Sequence, residues 1–117
     1  MNAQPPDAAV HAEALAALRR AARALGPVPE PSTLADAIER EAAAAAGADP
    51  ARVRGRALLY LYGARVGGAA ATDPEVAGRW LRGWASARAR TPDEARAALA
   101  AGIAFAERVH RALGLAR

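Results

Sequence analysis

A chain of 117 residues with a net charge of +4 is long enough for one hydrophobic core and too short for a second. It holds no cysteine, which excludes a disulfide framework, a thiol nucleophile and a thiolate metal centre. No run of about 18 apolar residues occurs, and the start, MNAQPPDAAV, lacks the charged and apolar regions of a signal peptide. A cytoplasmic protein without a transmembrane segment is expected.

Residues 1–7 read as a tail and 8–114 as one helical domain. Asp7 follows a proline pair and is placed to cap a first helix over roughly 8–25. At 100° per residue, Val10, Ala14, Leu15, Leu18, Ala21, Ala22 and Leu25 share one face, and Glu13, Arg19, Arg20 and Arg23 the other. His11 falls on the apolar side. The stretch GPVPEPST is a stiff connection, after which Ser32 or Thr33 is expected to cap a second helix over 33–46. Its pentaalanine, Ala42–Ala46, completes the helix before Gly47, because alanine is the strongest helix former.

Asp49-Pro50 puts a capping carboxylate before a proline at the first helical position and predicts a third helix over 50–66, stopped by Gly67-Gly68. From Ala57 to Tyr62 it has no polar face, so it is expected to be central, with Gly63 and Gly67 as points of close packing. Residues 51–90 carry 8 arginines against 2 acids, which makes the middle of the chain its basic part. All 16 cationic residues are arginines, and alanine fills 37 positions, a pairing that points to a high-GC coding bias before it points to a function.

Ala43, Gly47 and Val53 have the spacing by which a small residue, a turn glycine and a β-branched residue hold two helices of a helix-turn-helix together. AGADPARV resembles the turn of TetR-type repressors, over about 20 of the 117 residues. The resemblance implies nucleic-acid binding, with Arg52, Arg54 and Arg56 placed to meet phosphates or guanine edges. The sequence departs from the pattern at Arg56, where an aliphatic side chain belongs, and lacks the aromatic end of that recognition helix.

TDPE, Thr72 to Glu75, fits a capping box and opens a fourth helix over 73–90. Val76, Ala77, Trp80, Leu81 and Trp84 are expected to face inward, opposite Glu75, Arg79, Arg82 and Arg90. The two tryptophans read as core anchors in an alanine-rich protein. Trp80 and Trp84, with Arg79 and Arg82, are also the residues an acidic partner or a membrane surface would meet. TPDE, Thr91 to Glu94, opens a fifth helix over 92–113 whose inner face holds Ala95, Leu99, Gly102, Ile103, Ala106 and Leu113, widened by Phe105 and Val109.

His110 lies on that apolar side, so antiparallel first and last helices would bring it near His11. Glu107 precedes it in the Glu-x-x-His spacing of di-iron bundles. A metal at His11, Glu107 and His110 would need a symmetric dimer and further carboxylates such as Glu13, Glu39 or Glu41; hydrogen-bonded helix-end histidines are the plainer expectation. Ser32, Thr33, Thr72 and Thr91 read as helix caps, which leaves Ser86 as the one other serine or threonine, and Tyr60 and Tyr62 read as core residues more than as acids; no phosphate-binding glycine loop is present, and no cofactor is implied. The sequence therefore reads as an all-α bundle of about five helices, non-catalytic, an interaction module or oligomeric subunit. A protein partner or a second copy in a homodimer is expected, with nucleic-acid binding as the alternative and a metal-binding helical dimer third.

Overall fold

A computed structural model describes residues 8–24, 31–45, 48–63 and 73–114 of the chain, without the side chains of residues 24 and 31–33. Five α-helices account for them: α1 Ala8–Ala24, α2 Pro31–Ala43, α3 Pro50–Tyr62, α4 Pro74–Arg88 and α5 Pro92–Ala112. No strand occurs among the described residues, and the chain is an all-α bundle. Four of the helices open on proline, whose fixed φ suits the first turn and whose missing N–H would have had no helical partner there.

Local chemistry explains the helix ends, with corrections to the sequence reading. Asp49 caps α3 by accepting from the Ala51 amide at 3.1 Å. α4 is capped by Asp73, which accepts from the Glu75 amide at 2.9 Å, so Asp73 takes the part assigned to Thr72 in the TDPE box. Thr91 caps α5 as expected, its hydroxyl accepting from the Glu94 amide at 3.1 Å. The Glu94 carboxylate reaches one residue further back than a capping box requires, to the Arg90 amide at 3.0 Å. α2 starts at Pro31, which puts Ser32 and Thr33 inside its first turn instead of before it. It ends at Ala43, so the pentaalanine outlasts the helix.

α3 is shorter than its pattern suggested. Gly63 takes a left-handed backbone, φ 69°, and its N–H returns to the Leu59 carbonyl, a glycine stop that side-chain-bearing residues adopt only with strain. A Cβ at Gly63 would meet nothing within 4 Å, so this glycine ends a helix and is not a packing point. Close packing falls to Gly102 on α5: a Cβ there would lie 3.0 Å from Leu61 Cδ2 and 3.6 Å from the Tyr60 carbonyl. Asp7, Leu25, Gly47, Gly67, Gly68 and Thr72 lie outside the described residues.

α1 packs on α2, α3 and α5, and α4 packs on α2, α3 and α5. Both α2 and α3 touch every other helix, so the centre is shared between them. Leu58, Tyr60 and Leu61 of α3 are buried, but Leu59 and Tyr62 are only half-buried. The largest fully enclosed side chains are Trp84, Tyr60, Leu18, Leu34, Ile38, Leu58, Leu81 and Val53. Around them sit buried alanines, including Ala14, Ala17, Ala21, Ala57, Ala77 and Ala106, whose small volumes let helix axes approach closely. Two expected core residues are at the surface: Trp80 is 37 % exposed and Leu113 44 %.

Candidate functional site

Among the described residues, two places where polar side chains of different helices meet are candidates for a site. The first is internal. His11 of α1, Tyr60 of α3 and His110 of α5 are all buried, on helices packed together by their apolar faces. His11 Nδ1 and the Tyr60 hydroxyl lie 2.7 Å apart, and His110 Nε2 lies 3.0 Å from the His11 carbonyl. A carbonyl only accepts, so His110 carries a proton on Nε2 and donates it. The rings pack closely too, with centroids 6.0 Å apart between the two histidines and 6.2 Å between Tyr60 and each of His110 and Phe105. The two histidines therefore meet, as antiparallel α1 and α5 would require.

Their third expected partner is directed elsewhere. Glu107 accepts from Arg19 Nη2 at 2.6 Å, tying α5 to α1 at the surface. Among the described residues no group of three His, Asp or Glu side chains is arranged to hold a metal ion. His110 thus bonds the His11 backbone directly and Tyr60 bonds the His11 ring, while Glu107, the carboxylate expected beside them in a metal site, is not part of the cluster. No pattern marked Tyr60 for this, since it reads as one more apolar position of α3.

Burial sets the proton affinities here. Removal from water raises the Tyr60 phenol to about 12, against an opposing pull from the Arg56 guanidinium, so the hydroxyl stays protonated. Burial also holds His110 below the usual imidazole value of 6.5; its bond to the His11 carbonyl and the Glu107 carboxylate oppose this, and Arg19 adds to it. The native imidazole then binds its proton more weakly than the unfolded one. As pH falls below 6.5 the unfolded chain takes up more protons, so stability declines through the window down to the lowered His110 value and levels off below it. Urea midpoints measured between about pH 7.5 and about pH 5 should fall for the wild type and fall less for His110→Gln. Parallel declines would exclude His110 as the source.

The second place is external. An open groove of about 430 Å³ runs between α2 and α4, lined by Glu39 from α2 and by Pro74, Glu75, Gly78, Arg79 and Arg82 from α4. Glu75, Gly78, Arg79 and Arg82 lie on one face because residues three and four apart share a side of a helix. Among the described residues none of the four charged groups forms an ion pair. The Arg82 guanidinium instead folds back over Gly78, with Nη1 3.1 Å from where a Cβ would stand. Arg79 and Arg82 belong to this face, as the sequence indicated; Glu39 joins it only through the packing of α2 on α4.

On the flank of α4, Trp80 packs edge-on against Tyr62 at 5.2 Å, the Tyr62 hydroxyl donates to the Trp80 carbonyl at 2.7 Å, and Arg88 lies over the Tyr62 ring. Trp84 is buried and out of reach of any partner. Of the three arginines at the start of α3, Arg52 is exposed, Arg56 half-buried and Arg54 buried. Successive steps of 200° put Arg54 on the opposite side of the helix from the other two, so a nucleic-acid contact by this turn would fall to Arg52 and Arg56. Ala46 and Gly47, in the preceding turn, lie outside the described residues.

No described helix is long and apolar enough to cross a membrane. Comparison with known proteins finds no matching protein family, curated protein or solved structure.

Proposed function

We propose that this protein is a non-catalytic helical interaction module whose partner docks on the outer face of α4. The observation that carries this reading is the groove between α2 and α4, where Glu39, Glu75, Arg79 and Arg82 converge without an ion pair among the described residues. Charges left without partners at an open, shaped surface supply electrostatic complementarity, which sets partner choice and association rate more than raw affinity. The buried histidine and tyrosine cluster supports the same reading from inside. It closes α1, α3 and α5 on one another, and α4 packs on the last two of these.

Site-specific photo-cross-linking in the cells that naturally make the protein tests this. A cross-linker replacing Arg79 should give a discrete adduct with one protein, whereas the same group at exposed Ala100 of α5 should not. Absence of an adduct at position 79, or identical adduct patterns at both positions, would overturn the reading.

A further inference from the structure

The groove's charge pattern also says what kind of partner fits it. It presents two acids and two arginines, and on α4 they are ordered acid first: Glu75, then Gly78, then Arg79 and Arg82. A purely acidic ligand would meet Glu39 and Glu75, and a purely basic one would meet Arg79 and Arg82. A surface carrying the same pattern in reverse direction satisfies all of them. The simplest such surface is this one, turned about a two-fold axis.

We infer that the outer face of α4 is a self-complementary interface on which a second copy of this chain docks with its own α4 antiparallel to the first. This rests on the reading of the α4 face as a docking surface, and it names the partner. For two antiparallel helices related by a two-fold axis, contacting residues have a constant sum of numbers. An axis passing between Gly78 and Arg79 therefore sets Glu75 against the second copy's Arg82, twice by symmetry, and Gly78 against the second copy's Arg79. The centre of the contact is a glycine, which admits the close approach of another helix. Arg82, now lying over Gly78, extends to the facing carboxylate and leaves the glycine surface open. Glu39, beside the groove on α2, is the acid within reach of the second copy's Arg79.

Charge reversal tests the arrangement, because an isologous interface responds to it in a way that other surfaces do not. Glu75 and Arg82 are both exposed on α4, so single reversals leave the core untouched; circular dichroism and the thermal transition check this. Light scattering and sedimentation should find the wild type dimeric at low salt. Glu75→Arg alone and Arg82→Glu alone should each raise the dimer dissociation constant about tenfold or more, since each makes both symmetric pairs repulsive. Mixing the two single variants should restore dimers, and so should Glu75→Arg with Arg82→Glu in one chain. A wild type that stays monomeric at low salt, a dimer indifferent to both reversals, or a mixture no more associated than its components would each overturn the inference. A cross-link from position 79 to a different protein, with a monomeric wild type, would leave the docking face standing and remove the second copy as its occupant.

Discussion

Replacing Trp84 with alanine is expected to lower the unfolding free energy by about 3–5 kcal/mol, the range for truncating a large aromatic in a packed core. A domain of this size has about 5–15 kcal/mol in all, so the variant should sit near the edge of folding. Trp84 is 1 % exposed and is the largest of the fully enclosed side chains. Ten of the 21 residues of the buried core cluster are alanines, which have no long side chains to swing into the space that truncation leaves. Trp84→Phe should cost far less, because it keeps most of the ring. The indole Nε1 it removes is buried with no hydrogen-bond partner among the described residues, so no bond there is lost with it. Trp80→Ala should cost about 1 kcal/mol, the worth of its edge-on contact with Tyr62. Urea or guanidinium denaturation of the three variants checks the ranking. A Trp80 effect equal to or larger than that of Trp84 would contradict the burial assigned to each.

The second large effect is expected at Tyr60. Tyr60→Ala should cost about 3–5 kcal/mol as a buried aromatic truncation, since the ring is 1 % exposed and lies against His110 and Phe105. Tyr60→Phe separates packing from hydrogen bonding. It keeps the ring and removes the hydroxyl 2.7 Å from His11 Nδ1, and a buried polar atom losing such a partner costs about 1–3 kcal/mol. That loss should be shared with His11: in a double-mutant cycle of Tyr60→Phe with His11→Leu, the two changes should cost less together than the sum of each alone. Strict additivity would show that the hydroxyl and the imidazole do not stabilise one another. Because the cluster joins α1, α3 and α5, its loosening should also speed amide exchange in α1 near His11, ahead of global unfolding.

Much of the fold was legible in the sequence because its signals are local. Proline at the first helical position, a capping aspartate or threonine, and the 3.6-residue spacing of apolar side chains act over a few residues. They located all five helices without reference to the rest of the chain. Where the reading slipped, two local signals competed. Thr72 and Asp73 both offer a cap, and the aspartate adjoining Pro74 serves. Gly63 fits a packing role and a helix stop equally well on spacing alone, and its left-handed backbone selects the stop. Trp80 shows the limit of periodicity: it lies on the inward half of α4, but on the flank where Tyr62 and Arg88 meet it and solvent begins.

The chain by itself determined that this protein is helical, where each helix begins to within about two residues, that Arg79 and Arg82 share a face with Glu75, and that two histidines sit on apolar sides of its first and last helices. These follow from the geometry of one helix and the chemistry of its first turn. Only the tertiary structure decided that His110 bonds the His11 backbone and Tyr60 the His11 ring, that Glu107 turns away to Arg19, that Arg54 is buried while Arg52 is exposed, and that Glu39 completes the groove on α4. Each of those facts depends on the rotation of one helix against another. That rotation is set by the summed fit of many small side chains, and no short stretch of sequence carries that sum.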